Sequence, residues 1–369
     1  MCRTPERRHP MFCILPPYIL RHIAERGTPE QQAQAMGTLL ADQTFRVLRA
    51  EQANAPLPAR PSAVLSAEGE KRRTIYTANN TQTLPGTLAR AEGTPPTGDA
   101  AVDEAYDGLG ATFDFFWQTF ERNSIDDAGL PLDATVHFGQ RYDNAFWNGE
   151  QMVFGDGDGQ IFNRFTIALD VIGHELTHGV TQDEAQLRYS GQSGALNESI
   201  SDVFGSLVKQ YKLGQTADQA DWLIGAGLLA PGINGVALRS MKAPGTAYDD
   251  RLLGKDPQPA HMDDYVRTFE DNGGVHINSG IPNRAFYLAA VALGGHAWEK
   301  AGRIWYETLR DPRLKPNSGF RTFARLTHVN AGRLYGLGSS EQKAVYDSWA
   351  TVGIKIPAPA AKKGRSAAA

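Results

Sequence analysis

Apolar and polar positions follow two different periods along the chain, and each period predicts its own kind of element. Residues 73–77 alternate in the manner of a strand, and further strands are predicted at 132–138, 144–149 and 151–154. Between 102 and 120, large apolar residues recur every three or four positions, which predicts a helix with one core-facing stripe. The first part of the chain is therefore expected to combine strands with one long helix.

Helical periodicity dominates the rest of the chain. A helix is predicted from about 166 to 182, and a second from 196 to 207 follows a Ser/Gly-rich segment that we interpret as a loop. Further helical segments are predicted at 203–211, 281–293, 298–309, 318–335 and 340–352. The expected fold class is α+β, with a β-rich N-terminal lobe and a mainly helical C-terminal lobe.

The N-terminal region divides into three segments. Residues 13–20 are apolar, and their two adjacent prolines favour an extended start before a helical turn. Thr28 is followed by a proline and, three residues on, by Gln31, a capping-box pattern that predicts a helix to about residue 51. Residues 54–62 contain three prolines and are interpreted as an exposed linker.

Length and composition narrow the class of protein. At 369 residues the chain is long for one core, so a short leader followed by two lobes is the expected division. The net charge of −4 creates no field that favours nucleic acid or an anionic membrane, and the apolar runs are too short to span a bilayer. Cys2 and Cys13 are the only cysteines, which excludes a disulfide framework.

The start of the chain does not have the pattern of a secretory signal. Residues 1–10 are basic, but residues 11–20 contain two prolines and lack a long apolar core. We therefore expect the protein either to remain in the cytoplasm or to leave by a route that its N-terminus does not indicate.

The helix predicted around residue 174 carries the candidate chemistry. His174 and His178 lie on one helix face, about 6 Å apart along the axis, so they can bind one metal ion. Glu175 follows the first histidine, where it can act on a metal-bound water without being a ligand. So short a pattern also occurs by chance on solvated helix faces, and the next helix bears on that alternative.

A catalytic zinc needs three protein ligands and one position left for water. Glu198 and Asp202 are again four residues apart on a predicted helix. Glu198 can complete the ligand set, and Asp202 can accept the remaining N–H of a zinc-bound histidine. Ser199 and Ser201 are better explained as ordinary helix-start residues. These residue types in this order predict a hydrolase.

Three separated motifs resemble one known family. Residues 174–178, 197–202 and 271–280 are similar, in this order, to the thermolysin family of zinc metallopeptidases. The similarity extends from about residue 73 to residue 354. It implies a thermolysin-like two-lobed zincin fold with the active-site cleft between the lobes, and one catalytic zinc held by His174, His178 and Glu198.

The same resemblance implies roles for the residues around the zinc. Glu175 corresponds to the base, while His276 and Tyr189 correspond to the donors that stabilise negative charge in the transition state. Asp271 corresponds to the residue that orients His276. Two further residues, Asp202 and Asn197, would not bind zinc themselves but would hold the zinc ligands in place through hydrogen bonds.

Substrate-binding residues follow from the resemblance as well. Asn144 and Ala145 would bind the substrate backbone, although a plain hairpin also explains their segment. Arg239 would hold a substrate carbonyl, against the alternative of a surface arginine. The residues that would line an apolar pocket for the side chain after the cut are Phe162, Phe165, Val171, Ile224 and Leu238. The implied activity is a neutral endopeptidase that acts on proteins or peptides and prefers an apolar residue on the C-terminal side of the cut.

The N-terminal region is similar to the short propeptide of the protealysin-like branch of this family. The implied organisation is a propeptide and linker at 1–60, an N-terminal lobe at 61–183, a helical lobe at 184–356 and a frayed tail at 357–369. The propeptide would inhibit its own protease and be removed by cleavage in the linker. Cys13 could cap the zinc through its thiolate, although packing as a small apolar residue is the commoner role.

One departure from the family concerns calcium. Asp170 and Asp221 match residues of a paired calcium site, but Lys209, Leu223 and Ala226 stand where that site has glutamates. Because a lysine ammonium can pair with Asp170 in place of calcium, we expect no double calcium site. Two rival functions are disfavoured. A catalytically dead binding module would require a lost ligand or base, and the three ligands and the base are all present; a purely structural zinc site would not leave an open position beside a glutamate.

Overall fold

A computed structural model describes residues 12–52 and 67–356, and its two-lobed α+β architecture confirms the expected fold class. The predicted linker at 54–62 and the predicted tail at 357–369 both lie outside these residues, so the two predictions remain untested. Among the described residues, no helix is both long and apolar enough to cross a membrane.

One sheet of six strands forms the N-terminal lobe, in the order β1-β5-β6-β4-β2-β3. The strands are β1 (Phe12–Cys13), β2 (Arg73–Thr77), β3 (Thr87–Ala91), β4 (Leu132–Val136), β5 (Ala145–Trp147) and β6 (Met152–Phe154). The predicted hairpin is confirmed, since β5 and β6 pair antiparallel. The edge strand β1 belongs to the described N-terminal segment, residues 12–52, which we call the leader, and it pairs antiparallel with β5.

Helix α3 (Ala100–Phe120) packs against the sheet and matches its predicted apolar stripe. Asp99 caps it by accepting the backbone N–H groups of Ala101 and Val102. The predicted strand at 132–138 ends at Val136 in the structure. His137 adopts a positive φ of 53°, which takes the chain out of the strand.

Two helices cross at the centre of the molecule. Helix α4 (Leu169–Glu184) follows a 3₁₀ turn at Phe165–Ile167, so it starts about three residues later than predicted. Helix α5 (Gly191–Leu213) begins inside the Ser/Gly-rich segment, and the predicted loop there is wrong in extent. The Ser193 hydroxyl donates to the carbonyls of Arg188 and Ser190, which lets the first turn of α5 form.

Glycines allow α4 and α5 to approach closely. A Cβ atom on Gly173 would lie 3.1 Å from the Cα atom of Gly205, and one on Gly205 would lie 2.3 Å from the carbonyl oxygen of Asp170. Because no larger residue fits at this crossing, the two helix faces that carry the candidate ligands are held together.

The helical lobe surrounds α5. Its other helices are α6 (Asp271–Asn278), α7 (Gly280–Leu293), α8 (Arg303–Leu309), α9 (Phe320–Tyr335) and α10 (Ser340–Thr351). A π-helical turn at Trp298–Gly302 precedes α8. Two short antiparallel pairs complete the lobe: β7 (Leu223–Ile224) with β8 (Arg239–Ser240), and β9 (Asp249–Asp250) with β10 (Gly254–Lys255). The predicted helices of this lobe are confirmed to within a few residues.

The leader lies on both lobes. Helix α1 (Pro17–Arg26) contacts the helical lobe, where His22 Nδ1 lies 2.8 Å from the carbonyl oxygen of Leu253. Helix α2 (Pro29–Gln52) begins at the predicted capping box, in which the Thr28 N–H donates to Gln31 Oε1 over 3.0 Å. The short strand β1 lies between the lobes and contacts α4.

Candidate active site

The imidazoles of His174 and His178 face each other on α4, with 3.0 Å between their Nε2 atoms. Their Nδ1 atoms lie 2.8 Å from Asp202 Oδ1 and 2.8 Å from Asn197 Oδ1, and both oxygens can only accept a hydrogen bond. The protons therefore sit on Nδ1, and in the neutral rings the two Nε2 lone pairs point at each other. Burial, followed by the neighbouring His174, lowers the pKa of His178. A cation bound by both nitrogens removes the repulsion between these lone pairs.

Glu198 completes the group from α5. Its Oε2 lies 3.5 Å from His174 Nε2, and its Oε1 lies 3.5 Å from His178 Nε2. The ligand atoms of the three residues all lie within 4.8 Å of one another, and all three side chains are fully buried. Glu198 Oε2 has no hydrogen-bond partner among the described residues, although a buried carboxylate oxygen requires one. Two imidazoles and a carboxylate are a donor set that suits zinc.

Asp202 connects this group to the helical lobe. Besides His174, it receives hydrogen bonds from Arg239 Nη2 at 2.8 Å and from Asn283 Nδ2 at 2.8 Å. Burial opposes its ionisation, but Arg239 and His174 together lower the pKa of the Asp202 carboxyl below its usual range. The ionised carboxylate keeps the His174 ring oriented with Nε2 towards His178 and Glu198.

Glu175 lies beside the histidines with its two oxygens in different environments. Oε2 accepts the backbone N–H of Trp147 on β5 at 3.0 Å, while Oε1 has no hydrogen-bond partner among the described residues. Burial, followed by the charge of Glu198, raises the pKa of the Glu175 carboxyl. One oxygen therefore holds the side chain in place, and the other can handle a proton.

A second donor group reaches the site from α6. His276 Nδ1 lies 2.6 Å from Asp271 Oδ1, and the other oxygen of Asp271 accepts the His276 backbone N–H at 2.8 Å. This wrap-around contact is possible because residues 271–274 all have positive φ. Burial opposes protonation of His276, but Asp271 raises its pKa to about 8. Tyr189 lies on the same side, with its hydroxyl 3.2 Å from His276 Nε2 and donating to Glu198.

Comparison with known proteins agrees with this geometry. The protein-family model described as "Thermolysin metallopeptidase, catalytic domain" matches residues 60–182 of the sequence. A second family model, "Thermolysin metallopeptidase, alpha-helical domain", matches residues 185–354. The "Extracellular metalloprotease" of Pectobacterium carotovorum subsp. carotovorum is 61% identical over 350 residues, which cover 95% of this chain and 98% of that protein. The chain belongs to the thermolysin family. It is therefore a metalloendopeptidase.

More distant and structural relatives extend this assignment. The thermolysin of Alicyclobacillus acidocaldarius subsp. acidocaldarius is 40% identical over 289 residues, covering 76% of this chain and 50% of that protein. The solved structure titled "Precursor of Protealysin, Metalloproteinase from Serratia proteamaculans" has a TM-score of 0.85 and 58% identity, and covers 93% of this chain and all of that one.

In this thermolysin-family protease, the leader backbone contacts the residues that were predicted to bind substrate. Asn144 Oδ1 accepts the Leu15 N–H at 3.1 Å, and the Ala145 carbonyl accepts the Ile14 N–H at 3.2 Å. Arg239 Nη1 donates to the Ile14 carbonyl at 3.0 Å. Arg239 is 1% exposed, so the surface-arginine alternative is wrong. The side chains predicted to form the apolar pocket are all buried in the main hydrophobic core, which extends through both lobes and also includes Ile14: Phe162, Phe165, Val171, Ile224 and Leu238.

Cys13 presents its backbone to the site. Its carbonyl oxygen lies 3.0 Å from His276 Nε2. Its side chain is buried in an apolar cluster with Phe138, Phe146 and Val153. Among the described residues, Cys13 is not a member of the potential metal-binding group. The structure therefore favours the apolar packing role over the thiolate cap.

Lys209 occupies the position that the sequence suggested. Its Nζ lies 2.7 Å from Asp170 Oδ2, 3.0 Å from Asp221 Oδ1 and 3.0 Å from the carbonyl oxygen of Leu223. The expected pairing with Asp170 is confirmed.

The expectation that Ser199 and Ser201 are helix-start residues is wrong, because both lie inside α5, and the Ser201 hydroxyl lies 3.0 Å from His178 Nδ1. Three further residues of the site were missed by sequence reasoning. Asn283 supports Asp202, the Trp147 backbone holds Glu175, and Asp42 of the leader binds Asn144. None of them belongs to a short motif. Asp42 offered one signal, since it is an acidic residue next to apolar positions of an amphipathic helix.

Proposed function

We propose that this thermolysin-family protease is a zinc-dependent neutral endopeptidase, made as a precursor whose leader blocks its own cleft. The observation that carries the proposal is the buried pair of facing Nε2 atoms on His174 and His178, with the Glu198 carboxylate beside them. A bound cation would remove the repulsion between the two Nε2 lone pairs and give Glu198 Oε2 a partner, and three protein ligands leave one position for water. An open position next to a glutamate argues against a purely structural zinc.

When bound, zinc supplies a Lewis acid that polarises the scissile carbonyl and lowers the pKa of its water to about 7. Glu175 takes a proton from the attacking water and passes it to the departing nitrogen. The different environments of its two oxygens support this role, because the Trp147 N–H fixes Oε2 and leaves Oε1 available. Asn197 and Asp202 keep the histidine protons on Nδ1.

His276 and Tyr189 stabilise the negative charge that develops on the carbonyl oxygen. Support comes from the leader, whose Cys13 carbonyl oxygen lies 3.0 Å from His276 Nε2. Asp271 keeps His276 protonated and oriented through its 2.6 Å contact with Nδ1. A donor of this kind typically contributes about 10²–10³ in rate.

Asn144, Ala145 and Arg239 bind the substrate backbone, so recognition is largely independent of most side chains. The side chain after the cut enters the pocket predicted from Phe162, Phe165, Val171, Ile224 and Leu238. Its apolar walls favour apolar residues, with one methylene worth about 1–3 kcal/mol of discrimination.

The leader, within residues 1–60, acts as the intramolecular inhibitor, and the lobes extend over 61–183 and 184–356. Its contacts support this role, because the backbone of Ile14 and Leu15, just after β1, binds the Ala145 carbonyl and the side chains of Asn144 and Arg239, which are the groups proposed to bind a substrate. Activation then requires cleavage in the linker and departure of both leader helices. We also propose that the double calcium site is absent, because the Lys209 ammonium pairs with Asp170 and Asp221.

Hydrolysis of a peptide with an apolar residue after the cut tests the proposal. Processed wild-type protein is compared with Glu175→Gln and with Glu299→Gln, a control in an exposed residue of the helical lobe. We expect Glu175→Gln to lose about 10²–10⁴ in rate and the control to lose none. A zinc chelator should abolish activity, and added zinc should restore it. Full activity of Glu175→Gln, or of the chelated enzyme, contradicts the mechanism.

A further inference from the structure

Three consecutive leader residues place their backbone groups on the four groups that the proposed function assigns to a substrate. The Cys13 carbonyl faces His276, and the Ile14 N–H faces the Ala145 carbonyl. The Ile14 carbonyl then faces Arg239, and the next N–H, that of Leu15, faces Asn144. The peptide bond between the first two of these residues is therefore the one presented where hydrolysis takes place.

The proline pair that follows restricts the strand to this register. If the chain moved one residue so that the bond before Leu15 were presented, the N–H required by Asn144 would have to come from Pro16, which has none. If the bond before Pro16 were presented, both required N–H groups would be missing. Slippage in the other direction is opposed by α1, which starts at Pro17 and is bound to the helical lobe.

Side chains on both sides of the presented bond fit their surroundings. Ile14 is fully buried in the main hydrophobic core, to which the residues of the proposed pocket also belong. Cys13 is fully buried with Phe146 and Val153, the paired residues of the adjacent strands. An apolar residue after the bond is the preference proposed for substrates, and Ile14 meets it.

We infer that the Cys13–Ile14 bond is a self-cleavage site, an inference that rests on the proposed endopeptidase activity. In this step a water oxygen bonds to the Cys13 carbonyl carbon, and the C–N bond to Ile14 breaks. The products are a carboxylate on Cys13 and an amino group on Ile14, and both water protons are accounted for by that amine and by release to solvent. No oxidant or other co-reactant is needed.

The leader helices explain how an inhibitor can also be cleaved. The Arg26 carbonyl accepts a hydrogen bond from Arg251 over 2.9 Å, which holds α1 on the helical lobe. Helix α2 is held on the other lobe by Asp42. While both helices stay bound, the new amine remains beside the new carboxylate at a high effective concentration, so the bond can re-form. Once the linker is cut and the helices leave, the cleaved strand loses its attachment and the cleft is cleared.

Mass spectrometry of the maturing full-length protein tests the inference. Precursor is incubated in water enriched in ¹⁸O, and leader fragments are identified over time while hydrolysis of an apolar peptide is measured in the same sample. We expect a fragment that begins at Ile14, together with a Cys13 carboxylate carrying at least one ¹⁸O atom. An active sample in which every leader fragment spans an intact Cys13–Ile14 bond overturns the inference and leaves the proposed function standing. A sample without peptidase activity overturns both.

Two variants separate self-cleavage from other proteases. Ile14→Asp places a charge in the main hydrophobic core, and we expect at least a tenfold lower yield of cleavage at that bond, with normal peptide hydrolysis once the leader is gone. If Ile14→Asp fails to fold, the isotope measurement on the wild type still decides. Full-length Glu175→Gln, mixed with active enzyme, should be cut in the linker but much more slowly at Cys13–Ile14, because its own cleft covers that bond. Equal cleavage of Glu175→Gln incubated alone overturns the inference.

Discussion

The carboxylate of Asp42 accepts a hydrogen bond from the side-chain amide of Asn144, with 3.0 Å between Oδ2 and Nδ2. The other end of that amide accepts the Leu15 N–H. Asp42 also accepts the hydroxyl of Tyr142 and is only 4% exposed. Asp42 on α2 therefore orients the Asn144 side-chain amide that Leu15 binds. Helix α2 and the extended segment that contains Leu15 depend on each other for their contacts with the protease.

This relationship predicts that Asp42→Asn weakens the leader. Hydrogen bonds to charged groups contribute about 1.5–3 kcal/mol, so we expect the unprocessed precursor to gain about tenfold or more in peptidase activity. Initial rates on a small peptide, measured before any linker cleavage appears on a gel, check the change. Asp263→Asn, in a side chain that is 89% exposed, is the matched control. An unchanged rate for Asp42→Asn contradicts the coupling.

Removal of the proposed third ligand should abolish the effect of zinc on stability. A ligand at 1,000 times its Kd stabilises the folded state by about 4 kcal/mol, so zinc should raise the Tm of the wild type and of Glu175→Gln. Glu198→Gln should lose most of this increase, because one of the three ligands is gone. Thermal unfolding with zinc and with a chelator measures the difference. Equal zinc responses from Glu198→Gln and the wild type would remove Glu198 from the site.

Loss of the His276 donor should reduce turnover more than binding. We expect His276→Gln to lower kcat by about 10²–10³ and to leave KM within a few-fold, because the hydrogen bond strengthens in the transition state. His261→Gln, in a partly exposed residue that caps a 3₁₀ turn of the same lobe, should leave both constants unchanged. Steady-state kinetics on one apolar peptide measure kcat and KM for each variant. A rise in KM with kcat intact would assign His276 to ground-state binding instead.

The raised pKa of His137 leads us to expect that the folded protein loses stability at alkaline pH. Its contacts with Asp156 and then Asp99 raise its pKa from 6.5 to about 9. Because protonation is favoured in the folded state, the contribution is fully present below about pH 6.5 and is lost as pH rises through about 9. After allowance for solvent screening we expect on the order of 1 kcal/mol.

Urea unfolding on either side of that window measures the effect. The free energy of unfolding of the wild type should fall more between about pH 6 and pH 10 than that of His137→Gln. Asp156→Asn should reproduce part of the difference, because it removes the first partner of His137. Parallel pH profiles for the wild type and His137→Gln would contradict this origin.

The ion pairs of Lys209 with Asp170 and Asp221 lead us to expect that calcium does not affect the stability of the folded protein. Lys209→Gln leaves the buried Asp170 without its cation, which should cost about 3 kcal/mol. The exposed pair of Lys343 supplies the control, and Lys343→Gln should change stability by less than about 1 kcal/mol. Millimolar calcium should leave the wild-type Tm unchanged. A calcium-dependent increase in Tm would contradict the proposed absence of the double site.

Local geometry explains which parts of the site the sequence could predict. His174, Glu175 and His178 lie within two turns of one helix, so the helical period alone sets their relative positions. The capping box at Thr28 and Gln31 is equally local, and both of its hydrogen bonds form as expected. Motifs of this kind need no knowledge of distant contacts.

What the sequence determined by itself was therefore the metal-binding helix, the family and most element types, because each depends on neighbours within a few residues. Tertiary structure alone decided how α4 and α5 cross at Gly173 and Gly205, and thus where Glu198 meets the histidines. It also decided the register of the leader at Cys13, which depends on contacts more than 200 residues apart in sequence. The proline pair at 16–17 limits which registers the leader can adopt, but the partners it meets there follow only from packing of the whole chain.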